Sequence, residues 1–231
     1  MRQVAYERQM KRSVCYYEIT VMILDKMYVS VLPCLLPDTD SRLTDEEKRR
    51  DFDNVRIGPP SVSLLEFLKG DLKTKRLCDR IRSIRNEQSR KAFVAGRMPH
   101  AIIPVKVWTR DFSLAPGKFV KAYNGLVVLE FPIDDDMARI ESVLKSKPWV
   151  LYVTLSADGD SVIAIVPVDN DDYRRHDLFF KAVSDELRHC GLVADGSCDG
   201  LTAMMARTFD DDAWYNEVCE LFELPRQSAS D

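Results

Sequence analysis

The strongest constraint on the fold is a trio of apolar segments, each too short for a core helix and too continuous for a strand with one wet face. These are GLVVLEF (125–131), WVLYVTLS (149–156) and SVIAIVPVD (161–169). Near-continuous apolar runs of this length suit strands covered on both faces. GLVVLEF is therefore expected at the centre of a sheet. The other two runs flank Ala157-Asp158-Gly159-Asp160, a tight turn that makes them neighbouring strands.

Around this nucleus the pattern alternates helix and strand. Residues 14–36 are rich in β-branched and aromatic side chains with a polar break at Asp25-Lys26, which predicts a hairpin. Residues 38–53 are polar and form a surface loop or short exposed helix ahead of the Gly58-Pro59-Pro60 breaker. Ser63 caps a short helix, with Glu66 at the capping-box position and Gly70 as its stop. A longer helix is expected over 72–93, with Leu77, Ile81 and Ile84 on one face, and HAIIPVKVW (100–108) is extended. Asp134 to Asp136 cap a helix over about 137–145. Periodicity through Leu178, Phe179, Ala182, Val183 and Leu187 gives another over 174–190, closed by Gly191. LTAMMA (201–206) is a short strand, and Asp210 to Asp212 cap a last helix over 213–223. The expected class is α+β: a mixed sheet with helices packed on one side. Residues 1–60 supply the hairpin and charged loop, 61–225 the core and 226–231 a frayed tail, all within one structural domain.

Composition narrows the function classes. Across 231 residues, 33 basic and 37 acidic side chains give a net charge of −4, and 45% hydrophobic residues exclude wholesale disorder. No apolar run reaches the roughly 18–20 residues of a membrane span, and the charged N-terminus lacks a signal-peptide pattern. A cytoplasmic protein without a membrane partner is expected. The six cysteines show no C-x-x-C pair and read as reduced thiols; a zinc site from His176, His189, Cys190 and Cys198 is disfavoured. His100 reads as an exposed loop residue and His176 as a solvated helix start. Phosphate loops of the G-x-x-x-x-G-K-[ST] and G-x-G-x-x-G kinds are absent from the sequence. Charge is segregated: residues 51–110 hold 13 basic and 6 acidic side chains (+7), and residues 171–231 hold 6 and 14 (−8).

The ordered series SVSLLEFLKG, a basic helix, RMPHAIIP, KAYNGLVVLEF, SADGDSVIAIVPV and GLVADGSCDGLTAMMARTFDDDAWYN resembles the VirE N-terminal-like domain of Bacteroides mobile elements. That domain is similar in fold to archaeo-eukaryotic primases and primase-polymerases. The likeness spans about residues 61–217. TFDDDAWYN matches the family's Ser-Tyr-Asp-Pro-x-x-Tyr-x-Asn run at Asp210 and Asn216, with Phe209 and Trp214 in the tyrosine places. The resemblance implies a primase-polymerase fold with an RRM-like core and, in active members, metal-dependent nucleotidyl transfer. That chemistry needs two carboxylates two residues apart on one strand, so that both face the same divalent metals. Here the place reads Glu130-Phe131-Pro132, and Pro132 has no ligating side-chain atom. The phosphate turn reads Ser156 to Ser161, keeping Gly159 but losing its second glycine at Ser161 and its basic residue at Ile163. The Asp–Arg pair keeps Asp195 and has Ala203 in place of arginine.

These losses imply a degenerate site in which Glu130, Asp134, Gly159 and Asp195 are vestigial, with no catalytic residue, cofactor or metal expected. An active transferase using Mg²⁺ or Mn²⁺ through Glu130 and Asp134 is the alternative. A third possibility is a protein-interaction module docking through Met204, Met205, Trp214, Tyr215 and Phe222. The expected partners are single-stranded nucleic acid or a replication protein in a mobile-element or replication setting. The basic helix is the expected nucleic-acid contact, with Lys73, Lys75, Arg76, Arg80, Arg82 and Arg85 as an outward ridge. Its weakness is the lack of interleaved aromatics.

Overall fold

The computed structural model describes residues 24, 26–32, 58–133 and 136–225. The loop expected over 38–53, the tail, Cys15, Cys34, Asp134 and most of the first expected hairpin lie outside them. Within that hairpin, β1 (Tyr28–Leu32) pairs with β2 (Ser61–Ser63) and β3 (His100–Ile102). After β2 come α1 (Leu64–Lys69), α2 (Leu72–Arg82) and α3 (Glu87–Arg97). Beyond β3 the chain forms β4 (Val105–Val107), α4 (Pro116–Phe119), β5 (Val120–Tyr123), β6 (Leu126–Pro132) and α5 (Met137–Lys145). It closes with β7 (Tyr152–Leu155), β8 (Ser161–Pro167), α6 (His176–His189), β9 (Met204–Ala206) and β10 (Trp214–Tyr215).

The class is α+β, as expected. In place of one mixed sheet, the described strands form two four-stranded sheets, ordered β2-β1-β3-β9 and β10-β7-β8-β6, plus the β4–β5 hairpin. Every named pairing is antiparallel. The period-2 alternation of β6 explains how the layers stack. Val127, Leu129 and Phe131 face Leu144 of α5 and Phe179, Val183 and Leu187 of α6, whereas Leu126 and Val128 join Val29, Ala101 and Met205 of the other sheet. The second sheet is thus covered by helices on one face and by the first sheet on the other. Its strands are apolar on both sides for this reason, not because β6 is central: β6 is an edge strand, where Pro132 is tolerated opposite Ser161.

Two helical expectations are corrected. The helix expected over 72–93 is two helices, because Asn86 accepts the Ser89 N–H (2.8 Å) and starts α3 afresh. The last expected helix, 213–223, is not formed. There Trp214 and Tyr215 pair with Val153 and Tyr152, and Phe222 bridges to Val168. Asp210, expected as a helix cap, instead accepts the Leu155 N–H (2.8 Å) and fastens this segment to β7. Asn216 continues the attachment, its amide donating to Pro148 O (2.9 Å) and its backbone N–H to Leu151 O (2.8 Å).

Candidate functional site

Glu130 shares a face of β6 with Leu126 and Val128, so its carboxyl enters the space between the two sheets. Where the apolar packing stops, a cleft of about 520 Å³ opens, lined by Glu130, Asp158, Cys198, Asp199, His100 and Met204 among others. A second recess of about 370 Å³ also borders Glu130 and Asp158, and it reaches Gly159, Asp195, Arg90 and Lys91. Three of the four residues expected to be vestigial, Glu130, Gly159 and Asp195, therefore line one recess.

The chemistry of this recess is self-contained. Glu130 Oε1 accepts a short hydrogen bond from Ser161 Oγ, and Oε2 lies 3.9 Å from Cys198 Sγ. Burial pushes the Glu130 carboxyl above its ordinary range; the Ser161 bond opposes that, and the charges of Asp158 and Asp195 add to it. Burial likewise pushes the Cys198 thiol up to about 11, which leaves it a poor nucleophile near neutrality. Asp195 spends Oδ1 on the Ser197 N–H (2.9 Å). Ala203 is buried. Among the described residues, no group of three His, Cys, Asp or Glu side chains is arranged to hold a metal ion.

The β7–β8 turn has the shape expected of it, with Gly159 at φ +80°. Its donors, however, turn inward. Gly159 N–H donates to Ser156 O (3.1 Å), Asp160 N–H to Asp158 Oδ1 (3.3 Å) and Ser161 N–H to Ser156 Oγ (3.1 Å). Asp160 takes a bidentate bond from Arg90 (2.6 and 3.2 Å). A Cβ on Gly159 would stand 3.2 Å from Arg82 Cγ, so the chain's own arginine occupies the space beside the glycine.

The cations expected as one ridge separate into two sets. Lys73, Arg76 and Arg80 are exposed, and their i, i+3, i+7 spacing makes a stripe opposite buried Thr74, Cys78 and Ile81. Arg85 is exposed in the link between the helices. Lys75 turns aside to Asp211 (2.5 Å) and the Phe209 ring. Arg82 turns inward, donating to Ser156 O (2.8 Å) and Phe209 O (3.1 Å). Its aliphatic stem and guanidinium therefore anchor α2 to the β7–β8 turn, and it is not available to a ligand.

His100 and His176 differ from expectation. His100 is buried on β3, its Nδ1 bonded to Met98 O (2.9 Å). His176 is fully buried at the start of α6, with Nδ1 3.1 Å from Tyr123 Oη. Asn170 donates to the same Oη (3.2 Å), and His176 Nε2 is buried without a partner. Desolvation holds both imidazoles below their ordinary value. Cys78, Cys190, Cys198 and Cys219 are free thiols. Of the residues named for a docking surface, Met205 and Phe222 are buried and Met204, Trp214 and Tyr215 half-buried.

One exposed cluster escaped the sequence reading. Trp108 follows β4, and its ring lies 4.1 Å from Lys121 Nζ; Tyr28 of β1 lies 5.3 Å from Lys106 Nζ. Its signal was VKVW (105–108), in which buried valines alternate with Lys106 and Trp108. No family model, curated protein or solved structure matches the chain.

Proposed function

We propose that the chain is a primase-like domain of the VirE N-terminal type, lacking nucleotidyl-transfer chemistry, that binds single-stranded nucleic acid weakly through the outer face of α2. The observation that carries the binding is the stripe of Lys73, Arg76 and Arg80, three exposed cations spaced to follow a phosphate backbone. The loss of chemistry is supported by the turn, whose amides are satisfied internally, and by Glu130, whose carboxyl is tied to Ser161. The ordered segments that resemble the family, together with Glu130, Gly159 and Asp195 in one recess, support descent from a primase-type site.

Fluorescence anisotropy with a labelled single strand tests the binding. Affinity should fall steeply with salt, and changing Lys73, Arg76 and Arg80 together to Ala should flatten the log–log slope by about one per lost phosphate contact. Arg82 is unsuited to that test because its loss would disturb the fold. Absence of binding at low salt, or a slope indifferent to the triple change, refutes the proposal.

The shared recess also favours a second reading, metal-dependent transfer with an altered ligand set. Primer extension with Mg²⁺ or Mn²⁺ that Glu130→Ala abolishes would establish it; the first reading expects no extension.

A further inference from the structure

The β4–β5 hairpin is a small cationic unit. Residues 104–124 carry Lys106, Arg110, Lys118 and Lys121 against Asp111, a balance of +3. Val105 and Val107 bury one face, and alternation sends Lys106 and Trp108 to the other. The register shifts at Lys106/Val107, so that Lys106 opposes Ala122 and Val107 opposes Val120. Lys121 is the extra residue of this bulge, which re-aims its side chain across Trp108.

Trp108 is 56% exposed and Tyr28 48%, although both sit on fixed backbone. Trp108 N–H donates to Phe119 O (2.8 Å), and Gly58 packs so close beneath that a Cβ there would lie 2.5 Å from Trp108 O. Ser30 Oγ accepts the Val107 N–H (3.0 Å), and Asn124 Nδ2 reaches both Tyr28 O (3.3 Å) and Ile103 O (2.8 Å). Those bonds clamp the hairpin to β1, so both rings and both lysines are held by one rigid scaffold. The indole is more than half exposed, yet its backbone is held by the Phe119 carbonyl and packed against Gly58.

We infer that Tyr28, Lys106, Trp108 and Lys121 form a stacking platform for unpaired bases. Aromatic faces accept any base; the Lys106 and Lys121 ammonium groups lie over the rings and, displaced by a stacked base, meet its flanking phosphates. This inference rests on the proposed nucleic-acid binding and adds the component that α2 lacks, namely aromatic side chains interleaved with the cations. The platform gives preference for single strands over duplex, whereas the α2 stripe gives salt dependence.

The test uses the full chain and an oligothymidylate of roughly ten nucleotides. Binding should quench tryptophan fluorescence, because Trp149 and Trp214 are half-buried and Trp108 is the open indole among the described residues. Trp108→Ala should weaken binding about five- to hundred-fold, abolish most of the quench and leave the salt slope unchanged. Trp108→Phe should retain most of the affinity, and an unchanged melting temperature in both variants excludes misfolding. The Lys73, Arg76 and Arg80 triple variant should show the opposite pattern, a flattened slope with the quench intact. Binding that Trp108→Ala leaves unaltered, or duplex bound as tightly as single strand, overturns the platform while preserving the α2 reading and points to a protein ligand for the patch. No binding by the unmodified chain at low salt overturns both.

Discussion

A carboxyl group that is largely desolvated, with other carboxylates nearby, prefers to hold its proton, and Glu130 is in that position. Its folded pKa is raised above the ordinary 4.5. The native state therefore binds the proton more tightly than the unfolded chain does, and the stabilisation is fully present below the unfolded value and lost as pH rises through the folded one. Glu130→Gln keeps an oxygen to accept from Ser161 Oγ and removes the buried charge. Its melting temperature should equal or exceed that of the unmodified protein at about pH 7.5, and the difference should shrink as pH falls toward about 4.5. Differential scanning fluorimetry across that range checks it. A variant clearly less stable at neutral pH would mean that the ionised carboxylate is held by something favourable, the condition a metal ligand needs. The sequence located this residue through the motif but not its surroundings, since Ser161 and Cys198 reach it only through pairing of β6 with β8 and the closing of the 195–199 loop.

At the scale of elements, α2 shows how charge alone misleads. Its cations looked equivalent in sequence, yet a rotation of about 100° per residue gives neighbours different duties. Arg82 spans from α2 to the β7–β8 turn, and Arg90 repeats the attachment from α3 through Asp160, its side chain 17% exposed. Arg82→Ala should lower stability by about 1–3 kcal/mol, because it deletes two charge-assisted bonds to backbone carbonyls. Arg76→Ala, on the exposed stripe, should change it by less than about 0.5 kcal/mol. Urea denaturation separates the two; equal losses would mean that α2 is rotated from the orientation described. The hairpin of β7 and β8, the caps at Ser63 and Asp136 and the helix closed by Gly191 were legible because each depends on a few adjacent residues. The break at Asn86 carried a local signal, an asparagine before a helical turn, that the surrounding periodicity outweighed. The final segment carried a misleading one. DDDAWYNEVCELFE has helical spacing, but tertiary pairing of Trp214 and Tyr215 with β7 overrides that local preference.

For the molecule as a whole, two stacked sheets and a helical layer leave two imidazoles inside, one in each part of the core. His100 lies on β3 at the intersheet cleft, facing a lining that includes Glu130, Asp158 and Asp199; His176 joins α6 to β5 through Tyr123 and feels Asp177 and Asp199. Both have folded pKa values below the ordinary 6.5, with desolvation the leading cause. The unfolded chain then binds more protons than the native one below that value, so stability falls as pH drops through about 6.5 toward the folded values. Glu130 acts in the opposite direction, but it supplies one proton site against two. The urea midpoint should therefore fall between about pH 7.5 and pH 5.5. Replacing both residues, His100→Asn and His176→Asn, keeps a donor toward Met98 O and a polar partner for Tyr123 Oη while removing the titration. The double variant should have a lower midpoint at neutral pH, from the cavity each shorter side chain leaves, and a flatter dependence on pH. A pH slope as steep as that of the unmodified protein would place the acid sensitivity elsewhere, in carboxylates that hydrogen bonds hold below their ordinary range, such as Asp71 and Asp172.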